Sequence, residues 1–340
     1  MYYGAIDLHS NNSVLGLIDD QGQRLHMRKL PNDLETIKRT LDPFAAQLRG
    51  IVVESTYNWY WLVDGLQAAG YQVHLANPTA TEPYSGLKHS DDSSDAWWLA
   101  ELLRLKLLKE GHVYPRSERA TRDLLRKRAH LVQQRTQNIL SVQNLICRNT
   151  GVPIKSNQVR KLTVEGIEGS YGQEEDRALA ITCSLRIIDT LDKEIAIIEK
   201  QVKNKIRLSR GYQLLQETAP GIGEILAMVI QLEAGDMSRF ASVGDFASYC
   251  RCVKSERLSN QKKKGTGNRR NGNKYLAWAF IEAANFAIRY DATIQRFYQR
   301  KEARSKTIIG RMTVAHKLAR ACYYVLRDQV PFDTAKCFGQ

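Results

Sequence analysis

Four apolar residues, Leu125, Val132, Ile139 and Ile146, recur every seven positions through a segment otherwise crowded with Arg and Gln. A long α-helix returns such a repeat to one face, because two turns nearly close on seven residues. A second run follows a Gly-rich break at 166–172. It carries Ile181, Leu185, Ile188, Ile195, Ile198 and Val202, close to a 3-4 spacing. Two long amphipathic helices across a break predict a helical arm over 113–210. The pattern fits a helical hairpin, a coiled-coil arm or a plain helical bundle. An intermolecular coiled coil is the expectation, since an arm of this length has little else to bury against.

The residues before the arm follow a different rule. Tyr3–Asp7, Ser13–Ile18 and Arg24–Leu30 have strand character, joined by turns at His9–Asn12 and Asp19–Gly22. Asn32–Leu48 spaces Leu34, Ile37, Leu41, Phe44 and Leu48 as a helix does. Gly50–Glu54 is a compact apolar strand, followed by a helix through Trp61, Leu62 and Leu66, a strand at Tyr71–Ala76 and a helix over Asp92–Leu108. The alternation predicts an α/β domain over 1–112. Beyond the arm, 211–340 is expected to be mainly helical. It opens on Pro220-Gly-Ile-Gly223, a turn similar to a helix-hairpin-helix and equally suited to any tight interhelical connection.

Fifty Lys and Arg face thirty-six Asp and Glu, a net charge of +14 that calls for a polyanionic partner. No apolar run approaches the roughly 18–20 residues that span a bilayer, and Met1–Ser10 has no basic leader, so nucleic acid in a cytoplasmic, nucleoid-associated setting is expected rather than a membrane. The six cysteines are scattered, and Cys250 and Cys252 have no second pair at zinc-site spacing; reduced, mostly buried thiols follow. The charge concentrates in Arg251–Lys274, where nine Lys or Arg stand against Glu256 alone.

Four carboxylates stand out against this background. Asp7 ends the first strand, Glu54 ends the central one, and Asp92 and Asp95 lie three apart on one helix face. Acids at strand ends face the mouth of an α/β sheet, and oxygen ligands there can hold Mg²⁺ or Mn²⁺ for phosphodiester chemistry. Any one of them alone reads more simply as a turn residue or a helix cap, with Asp91 competing for the cap. Together they stand in the order that an RNase H-like fold requires.

The stretches Gly4–His9, Val53–Thr56 and Lys88–Ala96 resemble the RuvC-like domain of transposases of the insertion-sequence 110/1111 family, relatives of the Piv-type invertases. The resemblance continues through Pro220–Gly223, Phe240–Gly244 and Gly272–Leu276. It implies that Asp7, Glu54, Asp92 and Asp95 are the metal ligands. It also implies a serine nucleophile ahead of the Gly272–Leu276 stretch, which makes a transient phosphoserine link to DNA. Ser259 occupies that place, although Asn260 and Gln261 stand where the family has glycines, and Ser255 is the alternative. Lys262, Lys263, Lys264, Arg269, Arg270 and Lys274 would then grip phosphates. The resemblance further implies donor and target DNA, a non-coding guide RNA, and a dimer or tetramer with composite sites. Two other readings use the same acids differently: a junction or flap nuclease with water as nucleophile, and a nucleic-acid-binding protein without catalysis.

Overall fold

A computed structural model describes residues 1–77, 92–171, 174–253, 256–259, 262–266 and 271–339, with backbone alone at 92–93, 256–259, 263 and 266. The chain divides into two compact units: Met1–Arg116 with Glu256–Asn271, and Ser117–Ser255 with Gly272–Gln340.

In the first unit, β1 (Tyr2–Leu8), β2 (Asn12–Asp19) and β3 (Arg24–Pro31) form an antiparallel meander, as the two turn signals predict. Helix α1 covers Leu34–Leu41, with Asp33 capping it through the Thr36 amide. It stops short of the expected Leu48. Pro43 sits at the start of the 3-10 turn Asp42–Gln47, where its missing N–H and fixed φ end the α-helical ladder. Next come β4 (Leu48–Glu54), α2 (Tyr60–Ala68), β5 (Val73–Ala76) and α3 (Asp92–Arg104). The sheet order is β3-β2-β1-β4-β5, with β1, β4 and β5 parallel. This mixed sheet is consistent with the RNase H-like expectation.

Side-chain alternation assigns the two faces of the sheet. Ile6, Leu8, Ile51 and Val53 pack with Ile37, Leu62 and Leu66 of α1 and α2. Ala5 and Val52 pack on the other face with Leu99 and Ala100 of α3. Both faces are covered, so the central strands are apolar throughout. Their termini are where polar residues can appear.

The second unit begins with α4 (Arg116–Thr150), then the short α5 (Ser156–Val159) and α6 (Val164–Tyr171), and α7 (Glu175–Ile206). Ion pairs join Arg128 to Glu199 and Arg135 to Asp192. Seven residues forward on α4 correspond to seven back on α7, so the helices run antiparallel. The heptad residues are used within the chain. Leu125 and Val132 join the core that includes Ile198 and Val202, and Ile139 and Ile146 join Ile181, Leu185 and Ile188. The arm is thus a helical hairpin with an internal partner, and the heptad residues are spent within the chain rather than on the expected intermolecular coiled coil.

The remainder is α8 (Arg210–Thr218), α9 (Glu224–Ala234), α10 (Val243–Tyr249), α11 (Lys274–Tyr290), α12 (Ala292–Glu302), α13 (Thr307–Asp328) and α14 (Thr334–Phe338). The Gly-x-Gly turn serves packing here. Gly221 has φ +77°, and a Cβ would lie 2.2 Å from the Ala283 carbonyl oxygen of α11. Glu224 stands in the first turn of α9 and pairs with Lys203, which puts a carboxylate where a phosphate would otherwise be drawn. Among the described residues no helix is long and apolar enough to cross a membrane.

Candidate functional site

Asp7 and Glu54 end up on one face of the sheet for a simple reason of register. Ile6 of β1 pairs with Val53 of the parallel β4, so the next residue on each strand lies at the same level. Both acids share the parity of Ala5 and Val52, and both therefore project from the face covered by α3. Adjacent strands are about 4.8 Å apart, close enough for two carboxylates to share one ion. Asp7 is almost wholly buried, and Glu54 is half-buried.

Helix α3 brings the third acid. Asp95 is half-buried and directly precedes Ala96, which is completely buried against the sheet. The approach depends on Gly16 of β2, where a Cβ would come within 3.3 Å of both Ala96 and the Trp97 ring. Asp92 opens the same helix, one turn earlier, on the same helical face. Its side chain, and all of Asp91, lie outside the described residues.

The β1–β2 turn beside Asp7 is held by residues that the sequence reading missed. The His9 carbonyl accepts hydrogen bonds from the side-chain amides of Asn32 and Asn58, at 3.0 and 3.1 Å. Ser13 donates to Asn32 at 2.6 Å, and Thr56 donates to Asn58 at 2.9 Å. Elements following β3 and β4 are thus tied to the end of β1. The His9 imidazole Nε2 stands 3.3 Å from an Asp7 oxygen. Single Asn residues carry no periodic signal, which is why only the acids were visible beforehand.

The basic segment, expected as a loop, contains an antiparallel pair: β6 (Glu256–Ser259) and β7 (Lys262–Thr266). Ser259 pairs with Lys262, so the candidate nucleophile ends its strand at the tip of a hairpin. Register shifts between Arg257 and Leu258, a bulge that re-aims the strand beyond it. Lys262 and Lys264 are exposed. Ser255, Arg269, Arg270 and the side chains of Ser259 and Lys263 lie outside the described residues. Lys274 is exposed on the first turn of α11, with its ammonium 5.2 Å from the Tyr275 ring centre.

Where the chain returns from the hairpin, a buried polar cluster fixes its path. Glu233, 2% exposed at the end of α9, receives both arms of the Arg126 guanidinium at 2.6 and 2.7 Å. Burial alone would lower the Arg126 pKa, but the hydrogen bonds and charge of Glu233 outweigh it, and the guanidinium is held above its ordinary value. The Asn273 amide donates to Glu233 at 2.7 Å, while its oxygen accepts from the Tyr275 and Leu276 amides and so caps α11. The Asn273 N–H also donates to the Tyr249 carbonyl at 2.6 Å. Gly272 has φ +85°, and a Cβ there would meet that same carbonyl oxygen at 2.5 Å. Glycine is required at this step and asparagine at the next. This is the physical role of the Gly272-Asn273 pair that opens α11.

Two family models match the two regions just described. Residues 5–147 match a model for the DEDD transposases of IS110, described as a transposase. Residues 213–299 match the model described as the transposase IS116/IS110/IS902 family. The chain belongs to the IS110 family of transposases. No curated protein shows a significant match. The first match spans the carboxylate sheet and nearly all of α4, and the second spans the Gly-x-Gly turn, the hairpin and its buried base. As an IS110-family transposase the protein acts on DNA, in keeping with its +14 charge.

The donors of the carboxylate face fit the divalent ion that this family typically requires. Asp7 and Glu54 offer hard carboxylate oxygens on one face, and Asp7 is taken out of water at a cost that a cation would offset. Among the described residues no three ligating side chains are gathered as a set, a description that excludes the Asp92 carboxylate. The cysteines offer no rival site. All six are free, with Cys250, Cys252 and Cys322 buried. Burial pushes the Cys252 thiol up to about 12 and raises Cys250 and Cys322 as well, so these three stay protonated and unreactive.

Proposed function

We propose that this transposase is a recombinase that cuts and rejoins DNA through the hydroxyl of Ser259, with Asp7, Glu54, Asp92 and Asp95 holding Mg²⁺ or Mn²⁺. The observation that carries the reading is the alignment of Asp7 and Glu54 on one face of β1 and β4, beneath the helix that bears Asp95 and Asp92. When bound, the ion supplies charge stabilisation for the phosphodiester undergoing substitution. The Ser259 oxygen forms a bond to phosphorus, the bond from phosphorus to a sugar oxygen breaks, and the serine proton leaves as that sugar oxygen becomes a hydroxyl. Reversal with a different sugar hydroxyl rejoins the strand. Lys262, Lys263, Lys264, Arg269, Arg270 and Lys274 draw the backbone to the hairpin.

The serine and the acids act in a homodimer or tetramer, guided by a non-coding RNA that reads sequence by pairing while the protein holds backbone and shape. Leu179, Ile187 and Ile197 remain exposed on α7 and supply apolar surface for a second copy. Incubating the protein with cleavable DNA and Mg²⁺, then mapping any covalent adduct by mass spectrometry, tests the chemistry. The adduct should sit on Ser259 and vanish in Ser259→Ala. Cleavage by that variant at the normal rate would instead make water the nucleophile.

A further inference from the structure

A groove on the second unit, far along the chain from the hairpin, has the composition of a nucleotide site. It lies between the C-terminal half of α13 and the closing segment 330–337, with a cavity volume of about 770 Å³. Arg320 and Tyr324 stand one turn apart on the exposed face of α13, and Arg327, whose guanidinium pairs with Asp328, follows them on the same face. Tyr324 keeps 41% of its surface exposed. Lys336, exposed on the opposite wall, joins Arg320 and Lys317 as a third basic residue of the lining. Among the described residues that line the groove, Asp333 is the one acid, and it is engaged in capping α14 through the Lys336 amide at 2.9 Å.

The groove is fixed in shape. The Lys317 ammonium donates to the Cys337 carbonyl and lies 4.9 and 5.5 Å from the Phe297 and Phe338 ring centres, which ties the closing segment to α12 and α13. Phe332 is buried, and its amide donates to the Thr218 hydroxyl at 2.9 Å. The Arg327 guanidinium lies 5.0 Å from the Tyr324 ring centre, which keeps that ring in place. The local field is positive: burial first, then the charges of Arg320 and Lys317, lower the His316 pKa.

We infer that this groove binds an unpaired nucleotide strand, with a base stacked on Tyr324 and phosphates on Arg320 and Lys336. Stacking on an exposed ring requires a base that is free of its complement, so the ligand is single-stranded. The inference is independent of Ser259 and of the metal assignment.

The test measures binding of the full chain to a labelled 12-nucleotide RNA, a DNA strand of the same sequence, and the corresponding duplex, by fluorescence anisotropy across a salt series. Tyr324→Ala should weaken single-strand binding by roughly 5- to 150-fold, the usual worth of one stacked base, while Tyr324→Phe retains it. Arg320→Gln with Lys336→Gln should lower the salt slope for single strands by about 1.4. Loss confined to RNA, or to DNA, identifies which strand occupies the groove. Unchanged single-strand affinity and slope in both variants would overturn the inference. So would equal losses on the duplex, or a Tyr324→Phe protein as weak as Tyr324→Ala. Circular dichroism confirms that each exposed substitution leaves the helices intact.

Discussion

Replacing Arg126 with methionine keeps most of the aliphatic stem and deletes the guanidinium that faces Glu233. The Glu233 side chain is 2% exposed, and its charge would lose both guanidinium hydrogen bonds while keeping the one from the Asn273 amide. Breaking a buried ion pair from one side costs roughly 3–5 kcal/mol. Arg126 is itself 31% exposed, so water can enter the vacated space and the loss should fall at the lower end, about 3 kcal/mol. For a unit of this size each kcal/mol moves the melting temperature by about 2–4 °C, which predicts a fall of about 6–12 °C in calorimetry. Adding Glu233→Gln removes the stranded charge and leaves an oxygen for Asn273, so the double variant should regain at least half of the loss. A single variant melting within 2 °C of the parent, or a double variant no better than the single, would refute the idea that this pair secures the cluster.

Gly16→Val should force α3 off the sheet, because even a Cβ approaches Ala96 and Trp97 at 3.3 Å. Overpacking of this kind costs about 1–3 kcal/mol, and strand cleavage should fall more steeply than stability because Asp95 moves with the helix; denaturant midpoints and cleavage rates compare the two. Asp7→Asn should abolish strand cleavage at saturating Mg²⁺ while DNA binding persists, and chelation of the parent protein should do the same. The arm should be acid-sensitive. Burial raises the Asp192 carboxyl, but hydrogen bonds from Arg135 and Arg160 lower it further, to a net value below the ordinary one. A lowered carboxyl adds stability above its unfolded value near about 3.9, and that stability is lost as the pH falls through the folded value. Thermal melts below about pH 4 should therefore converge for the parent and Asp192→Asn, after differing at neutral pH.

The strands of the first unit were legible because alternation and turn residues are local signals, and Asp7 and Glu54 were legible because a charge at the end of an apolar strand is conspicuous. Their shared face was not, since it depends on the parallel register of β1 with β4, a long-range pairing. The heptads announced long helices but not the partner, and the partner proved to be α7 of the same chain. Glu233 had a faint signal, an acid at the end of the mostly apolar run Ile225–Ala234. Arg126 had none among so many arginines, and Asn32 and Asn58 gain their role only when three separate segments meet at His9.

The helical unit runs to Ser255 and resumes at Gly272, and hydrogen bonds stitch the two sides together. Asn273 donates to the Tyr249 carbonyl, and Arg251 donates to the Gly272 carbonyl at 2.9 Å. The β6–β7 pair thus belongs to an insert with a closed base. Lengthening such an insert adds only the logarithmic cost of a longer loop, on the order of 0.6 kcal/mol per doubling. The basic hairpin can therefore change its length and sequence while the helices before and after it in the chain stay as they are.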